Sequence, residues 1–248
     1  MKTFFVRALK ALTIGSALLF SIGSLAQEFQ KPTPVKDSAT TYTVKPDYRK
    51  CAFPLCGGWF LTPVNQYSLQ LESDDEAYQH SLLLPNNIYV SSINYKALGL
   101  TATQIKELES VLRAGQGLLA GNVVSLASSA NIATSTLVTQ AAWTSPTKTT
   151  AAGPYLKVSS SGIVCITTPC PYFTAQVINS TYSTNFHELT FEKAELDREQ
   201  EARAWQAVSS GGLVLTGVRY VSQGQVGTGT GISATKVFFT FPAKKSIY

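Results

Sequence analysis

Four cysteines, two histidines and one acidic run are the side chains of this 248-residue chain whose types and spacing could do chemistry. The cysteines stand in two six-residue frames, Cys51-Ala-Phe-Pro-Leu-Cys56 and Cys165-Ile-Thr-Thr-Pro-Cys170. Such frames can serve as structural disulfides, as redox-active thiols or, if the two meet, as four thiolate ligands of a zinc ion. A redox pair of the thioredoxin kind has two intervening residues at the start of a helix, where the thiolate is stabilised. Here four intervene and no helix follows directly, so disulfides are the expected chemistry. Four cysteines allow three connectivities, and the likeness of the frames favours the local one, Cys51 with Cys56 and Cys165 with Cys170. A ring this short stabilises by only about 2 kcal/mol on the chain-entropy model, so it shapes a loop more than it holds a fold. The rings would present Phe53, Pro54 and Leu55 in one frame and Thr167, Thr168 and Pro169 in the other as candidate binding loops. A closed ring stiffened by proline loses little entropy when it docks, which is the logic of rigid recognition and inhibitor loops.

His80 lies close in sequence to Asp74, Asp75 and Glu76, a set that could hold a carboxylate-oriented base or a metal in a hydrolytic enzyme. No nucleophile elbow and no paired-histidine helix motif accompanies it, and a solvated acidic loop is the simpler reading. His187, between Phe186 and Glu188 in an alternating stretch, reads as a surface histidine. The run from Glu72 to Glu76 carries oxygen ligands suited to calcium but lacks the Asp-x-Asp-x-Asp-Gly order of a known loop. Gly224 to Gly231 is rich in glycine without the strand-and-helix context of a phosphate site, so a hairpin loop is expected there. Asn179-Ser180-Thr181 fits a glycosylation sequon, which acts only in a eukaryotic secretory route. No motif calls for a cofactor, no metal site is assigned, and no residue is assigned a catalytic role.

The elements that must position these residues occur twice. Tyr42 to Asn65 and Leu156 to Asn179 match without a gap at both cysteines, at Val44 with Val158, at Trp59 with Phe173, and at Val64-Asn65 with Ile178-Asn179. Alternating apolar positions predict strands at Tyr42–Val44, Trp59–Leu71 with a break at Pro63, Ile88–Tyr95, Leu118–Val124 and Thr136–Trp143. Their counterparts include Thr184–Phe191, Leu213–Val221 and Thr235–Phe241. Thr101 with Gln104, and Asp197 with Gln200, each form a capping box that opens a helix. Ile105, Leu108, Val111 and Leu112 share one face of the first helix; Ala204, Trp205 and Val208 share one face of the second. Gly117 and Gly212 stand where a left-handed helix stop is needed. The first copy is longer between its second and third strands, by the acidic stretch that ends at Pro85-Asn86-Asn87. These patterns predict an α+β fold of two tandem repeats, each a mainly antiparallel sheet with one helix on a face. The repeats would span 42–144 and 154–248, joined by a linker at 145–153.

The N-terminus reads as a secretory signal over residues 1–26, with Lys2, Arg7 and Lys10 ahead of an apolar stretch and Ser24-Leu25-Ala26 at a cleavage site. Residues 27–41 read as a flexible lead-in. Removal of the signal takes three of the 20 Lys and Arg and none of the 15 Asp and Glu, so the pI near 9.0 belongs largely to the leader. A partner selected by bulk positive charge, nucleic acid above all, is not supported. No later stretch is apolar enough to span a bilayer. An even cysteine count in an exported chain fits a periplasmic or secreted location, where any partner would be an extracytoplasmic protein.

The run Arg49-Lys50-Cys51…Pro54-Leu55-Cys56-Gly57-Gly58-Trp59…Val64-Asn65, followed by Ala97-Leu98-Gly99-Leu100-Thr101, resembles a family of exported bacterial proteins known only as a domain of unknown function. The second copy departs from it, with Pro171-Tyr172 where the first has Gly57-Gly58. The resemblance implies export and architecture, and it brings no activity, substrate or catalytic residue. The expected function is therefore a non-enzymatic binding or interaction module with disulfide-pinned loops. The alternatives are a metal-dependent or hydrolytic enzyme centred on His80, and a thiol-disulfide protein.

Overall fold

A computed structural model describes residues 39–66, 87–126 and 134–242. The first half of the chain forms β1 (Thr40–Pro46), β2 (Trp59–Pro63), β3 (Ile88–Val90), β4 (Ser92–Asn94), α1 (Ala102–Arg113), β5 (Gly117–Leu126) and β6 (Thr134–Thr144). The second half forms β7 (Tyr155–Ser160), β8 (Phe173–Val177), β9 (Ser183–Phe186), β10 (Glu188–Thr190), α2 (Arg198–Ser210), β11 (Leu213–Gly224) and β12 (Gly227–Thr240).

The α+β expectation is corrected by this architecture. Among the described residues twelve strands form one sheet, ten of them in the order β3-β2-β1-β5-β6-β12-β11-β7-β8-β9 with β4 on β6 and β10 on β12, and the helices, of 12 and 13 residues, are minor elements laid against it. The merger rests on two residue pairs, Thr144 with Phe239 and Trp143 with Thr240. A junction that short leaves no periodic signature, which is why the pattern of apolar residues does not tell whether the two sheets merge.

A second departure explains how each half closes. The predicted strand over 88–95 breaks at Ser91 into β3, antiparallel to β2, and β4, parallel to β6. The stretch over 184–191 breaks likewise at His187 into β9, antiparallel to β8, and β10, parallel to β12. The core-facing positions change phase at each break, from Ile88 and Val90 to Ile93 and Tyr95 and from Phe186 to Leu189 and Phe191, a shift that reading each stretch as one strand passes over. With β1 paired to β5 and β7 to β11, each half becomes a ring of five strands if the broken strand is counted once. The helix enters between the third and fourth strands, and the third pairs in parallel with the fifth. This is the connectivity of an OB-type barrel, a small Greek-key β fold.

Both helices begin with the expected capping box: Thr101 and Asp197 accept from the amides of Gln104 and Gln200, whose side chains reach back to the cap amides. Each box satisfies two of the orphan N–H groups of the first turn. The stop after α1 is supplied by Gly115, at φ 69°, rather than by Gly117, which already starts β5. After α2, Gly212 at φ 100° does this work.

Three apolar clusters follow from strand alternation. Leu108 and Leu112 of α1 pack with Val44, Leu61, Leu119 and Leu137. Ala204 and Val208 of α2 pack with Val158, Phe186, Leu213, Leu215 and Val237. Between them a smaller cluster joins Val64 and Leu118 of the first half to Val214 and Phe238 of the second, with Trp143, Tyr155 and Ile178 around it. Neighbouring residues of one strand point to opposite faces, so Leu118 faces away from Leu119 and α1, and Val214 away from Leu213 and α2. The two halves therefore meet through their helix-free faces.

Candidate functional site

The seam places the matched asparagines. Asn65 donates from Nδ2 to the carbonyls of Tyr155 and Ile178 at 2.7 and 2.9 Å, and its Oδ1 accepts from the Tyr155 amide at 2.9 Å. Asn179 makes the reciprocal set, donating to Thr41 and Val64 at 2.8 and 2.9 Å and accepting from the Thr41 amide at 2.8 Å. Both sit at positive φ, 57° and 61°, a conformation that asparagine tolerates better than most side chains. Each side chain thus satisfies backbone groups of the opposite half. The internal match Val64-Asn65 with Ile178-Asn179 was the sequence signal for this clasp, although spacing alone gave it no role. Asn179, as the first residue of the apparent sequon, is occupied structurally.

The cysteine frames connect β1 to β2 and β7 to β8, and both local disulfides, Cys51–Cys56 and Cys165–Cys170, are formed. With all four thiols paired, neither frame offers a thiolate. Among the described residues no group of three or more His, Cys, Asp and Glu side chains is placed to hold a metal. His80, Asp74, Asp75 and Glu76 lie outside the described residues.

The first ring is held from below by charge. Asp47, buried at the end of β1, receives Nε and Nη2 of Arg49 at 3.0 and 2.9 Å, the Arg49 amide at 2.9 Å and the Gly57 amide at 3.3 Å. Arg49 also donates to the Leu55 carbonyl at 3.1 Å and lies over the rings of Phe60 and Tyr89, 5.1 and 5.3 Å from their centroids. The Tyr89 hydroxyl donates to the Pro54 carbonyl at 2.9 Å. The hydrogen-bonded Arg49 guanidinium, helped by the two amides, holds the Asp47 carboxyl below its ordinary range. Gly58 is required because a Cβ there would run into the backbone of Val90 and Ser91. The sequence shows Asp47 and Arg49 only as an ordinary surface pair two residues apart, and nothing in the pattern marks Tyr89 as their partner.

The second ring has none of these groups and leans on the β11–β12 turn instead. Thr168 accepts the Gln225 amide on Oγ1 and the Val226 amide on its carbonyl, both at 3.0 Å. Pro169 sits against Gly224 and Gly229, where side chains would clash with it. His187 supports the same hairpin: its Nδ1 accepts from the Thr230 amide at 3.0 Å, and its own amide donates to the Thr230 carbonyl at 2.8 Å. The glycine-rich stretch is strand on both sides of a tight turn at Gln225-Val226. Ser161 Oγ and its amide close the ring's base on the carbonyls of Pro171 and Tyr172.

Exposure differs along the six candidate loop residues. Phe53 and Leu55 are exposed, at 73% and 57%, and Pro54 is half-buried. Thr167 is exposed, while Thr168 and Pro169 are half-buried against the hairpin. The exposed apolar side chains at the second ring are Ile166 within it, at 103%, and Val164 just ahead of it, at 90%, with Val226 of the adjoining turn. Frame composition drew attention to the threonines and proline and passed over these two.

No helix among the described residues is long and apolar enough to cross a membrane. Comparison with curated proteins and with solved structures found no match to either. A family sequence model matches residues 40–244, which takes in both cysteine frames, the asparagine clasp and all twelve strands. The chain belongs to the family described as Domain of unknown function (DUF6748).

Proposed function

We propose that the chain is an exported, non-enzymatic binding protein built from a duplicated unit, and that the disulfide-pinned loops are its contact points for an extracytoplasmic protein partner. The observation that carries this reading is the exposure of Phe53 and Leu55 on one ring and of Ile166 on the other, with Val164 beside it. Large apolar groups presented on covalently closed loops are costly to leave in water and cheap to dock. Fold analogy lends support: OB-type barrels bind through the face of their second and third strands and the flanking loops. The rings are the first such loop of each half, and the β11–β12 turn is the matching second loop. The secretory pattern of residues 1–26 and the pairing of all four cysteines fit maturation in an oxidising compartment, periplasmic or extracellular. The predicted start after Ala26 is checked by intact mass of the exported protein.

The test is photo-crosslinking from position 53 and from position 166 in the native compartment, with competition by the oxidised peptide Cys51–Cys56. A discrete crosslinked protein that the cyclic peptide displaces, and that Phe53→Asp with Leu55→Asp abolishes, supports the reading. Crosslinks no different from those at an exposed control such as Lys193 would sink it.

A further inference from the structure

The seam contains a feature that the loops do not use. A cavity of about 530 Å³ opens between the halves, lined by the end of α1, by residues 148–151 of the connecting segment and by β12. Its apolar wall is Leu118, Tyr155 and Phe238, and its cationic groups are Lys236 and Lys148. Lys236 belongs to β12 and is only 5% exposed. Its Nζ donates to the Thr149 carbonyl at 2.7 Å and the Thr147 carbonyl at 3.3 Å, both neutral acceptors.

A buried ammonium needs a counter-charge or it pays heavily for lost hydration. No ion pair to Lys236 exists among the described residues, and no carboxylate lines the cavity. Burial accordingly lowers its basicity. The carbonyls of Leu112 and Val111 at the end of α1 accept from the amides of Gly115 and Gln116, and the hydrogen bonds of Lys236 go to Thr147 and Thr149 instead. An ammonium has three donors, and two are engaged. A volume of this size, part apolar with one buried cation, is of the kind that small-molecule sites have.

We propose that this cavity binds a small carboxylate with an apolar body, its carboxylate on Lys236 and its body against Phe238, Tyr155 and Leu118. The carboxylate is either that of a free organic acid or that of a peptide C-terminus. The site is independent of the disulfide loops. The simpler reading, in which Lys236 only straps residues 147–149 to the sheet, predicts no anion binding.

The experiment is calorimetric titration of the whole folded protein at neutral pH with benzoate, with benzamide as its uncharged counterpart, and with a short phenylalanine-terminated peptide as free acid and as amide. The expected result is saturable binding of benzoate, of the peptide acid or of both, with the matching amide roughly tenfold or more weaker. Binding of benzoate alone identifies a free acid, and binding of the peptide acid alone identifies a chain terminus. Lys236→Met should weaken binding by at least about tenfold, while exposed Lys148→Met should weaken it less. The acid-against-amide comparison needs no variant, so it stands even if Lys236→Met fails to fold. Equal affinity for acid and amide, undiminished binding by a folded Lys236→Met protein, or no binding of either acid at millimolar concentration overturns the proposal.

Discussion

The ring at 51–56 and the ring at 165–170 have the same length, the same local disulfide and the same place between the first two strands of their barrels, yet they are supported by different chemistry. The first rests on an ion pair, Asp47 with Arg49, and on a tyrosine hydroxyl; the second rests on backbone amides of a hairpin turn. The seam contrasts with both, since Asn65 and Asn179 make the same three bonds in each direction. Where one half must fit the other, the chemistry is duplicated. Where each half faces solvent, it differs.

The largest expected effect tests the symmetric part. Asn65→Ala and Asn179→Ala each remove three hydrogen bonds at a positive φ, so each should cost about 3 kcal/mol in denaturant unfolding. Costs that differ by more than about 1.5 kcal/mol, beyond the usual scatter of such contacts, would show that the clasp is symmetric in geometry but not in energy. Next, Gly58→Ala forces a methyl group into the Val90–Ser91 backbone and should cost about 1–3 kcal/mol. Its counterpart, Tyr172→Ala, lies at an exposed position and should cost within about 1 kcal/mol.

Replacing either cystine by two serines should cost about 2 kcal/mol, because equal ring sizes carry equal loop entropy whatever supports them. Unequal losses in thermal unfolding would assign the difference to the supports. The smallest effect is a response to acid confined to the first ring. Asp47 has its carboxyl pKa lowered in the folded protein, so its stabilisation is complete at neutral pH and fades as pH falls below the ordinary carboxylate value of about 4. Amide exchange at Gly57, corrected for the intrinsic rate, should therefore quicken in acid while that of Val226 does not. Asp47→Asn should show the quickened exchange already at neutral pH.

The strands and capping boxes were legible because they are written in local periods: Tyr42 with Val44, or Thr101 with Gln104, needs no knowledge of the rest of the chain. The single sheet was not, because it depends on Thr144 and Trp143 meeting Phe239 and Thr240 across nearly a hundred residues through two ladder pairs. The bends at Ser91 and His187 are marked only by a one-residue change of phase, Val90 to Ile93 and Phe186 to Leu189, which is easily absorbed into a single longer strand. The supports of the rings were hidden for another reason. Asp47, Arg49 and Tyr89 have the composition of solvent-facing residues, and only the fold reveals that Asp47 is enclosed.

The closing strand has a consequence for how this protein comes into being. Thr144 and Trp143 pair with Gly117 and Leu118 on one side but gain partners on the other only from β12, and Phe241, beyond the end of β12, packs against the cluster under α1. The half that leaves the ribosome first is therefore finished by residues of β12, which leave it well after the second helix. Until those arrive, Leu118 and Val64 lack the neighbours that cover them, and a polypeptide cut short ahead of residue 236 would carry two good capping boxes and a sealed first ring but an open flank. Vectorial synthesis thus gives the first barrel a period of waiting, during which the apolar residues of that flank stay uncovered.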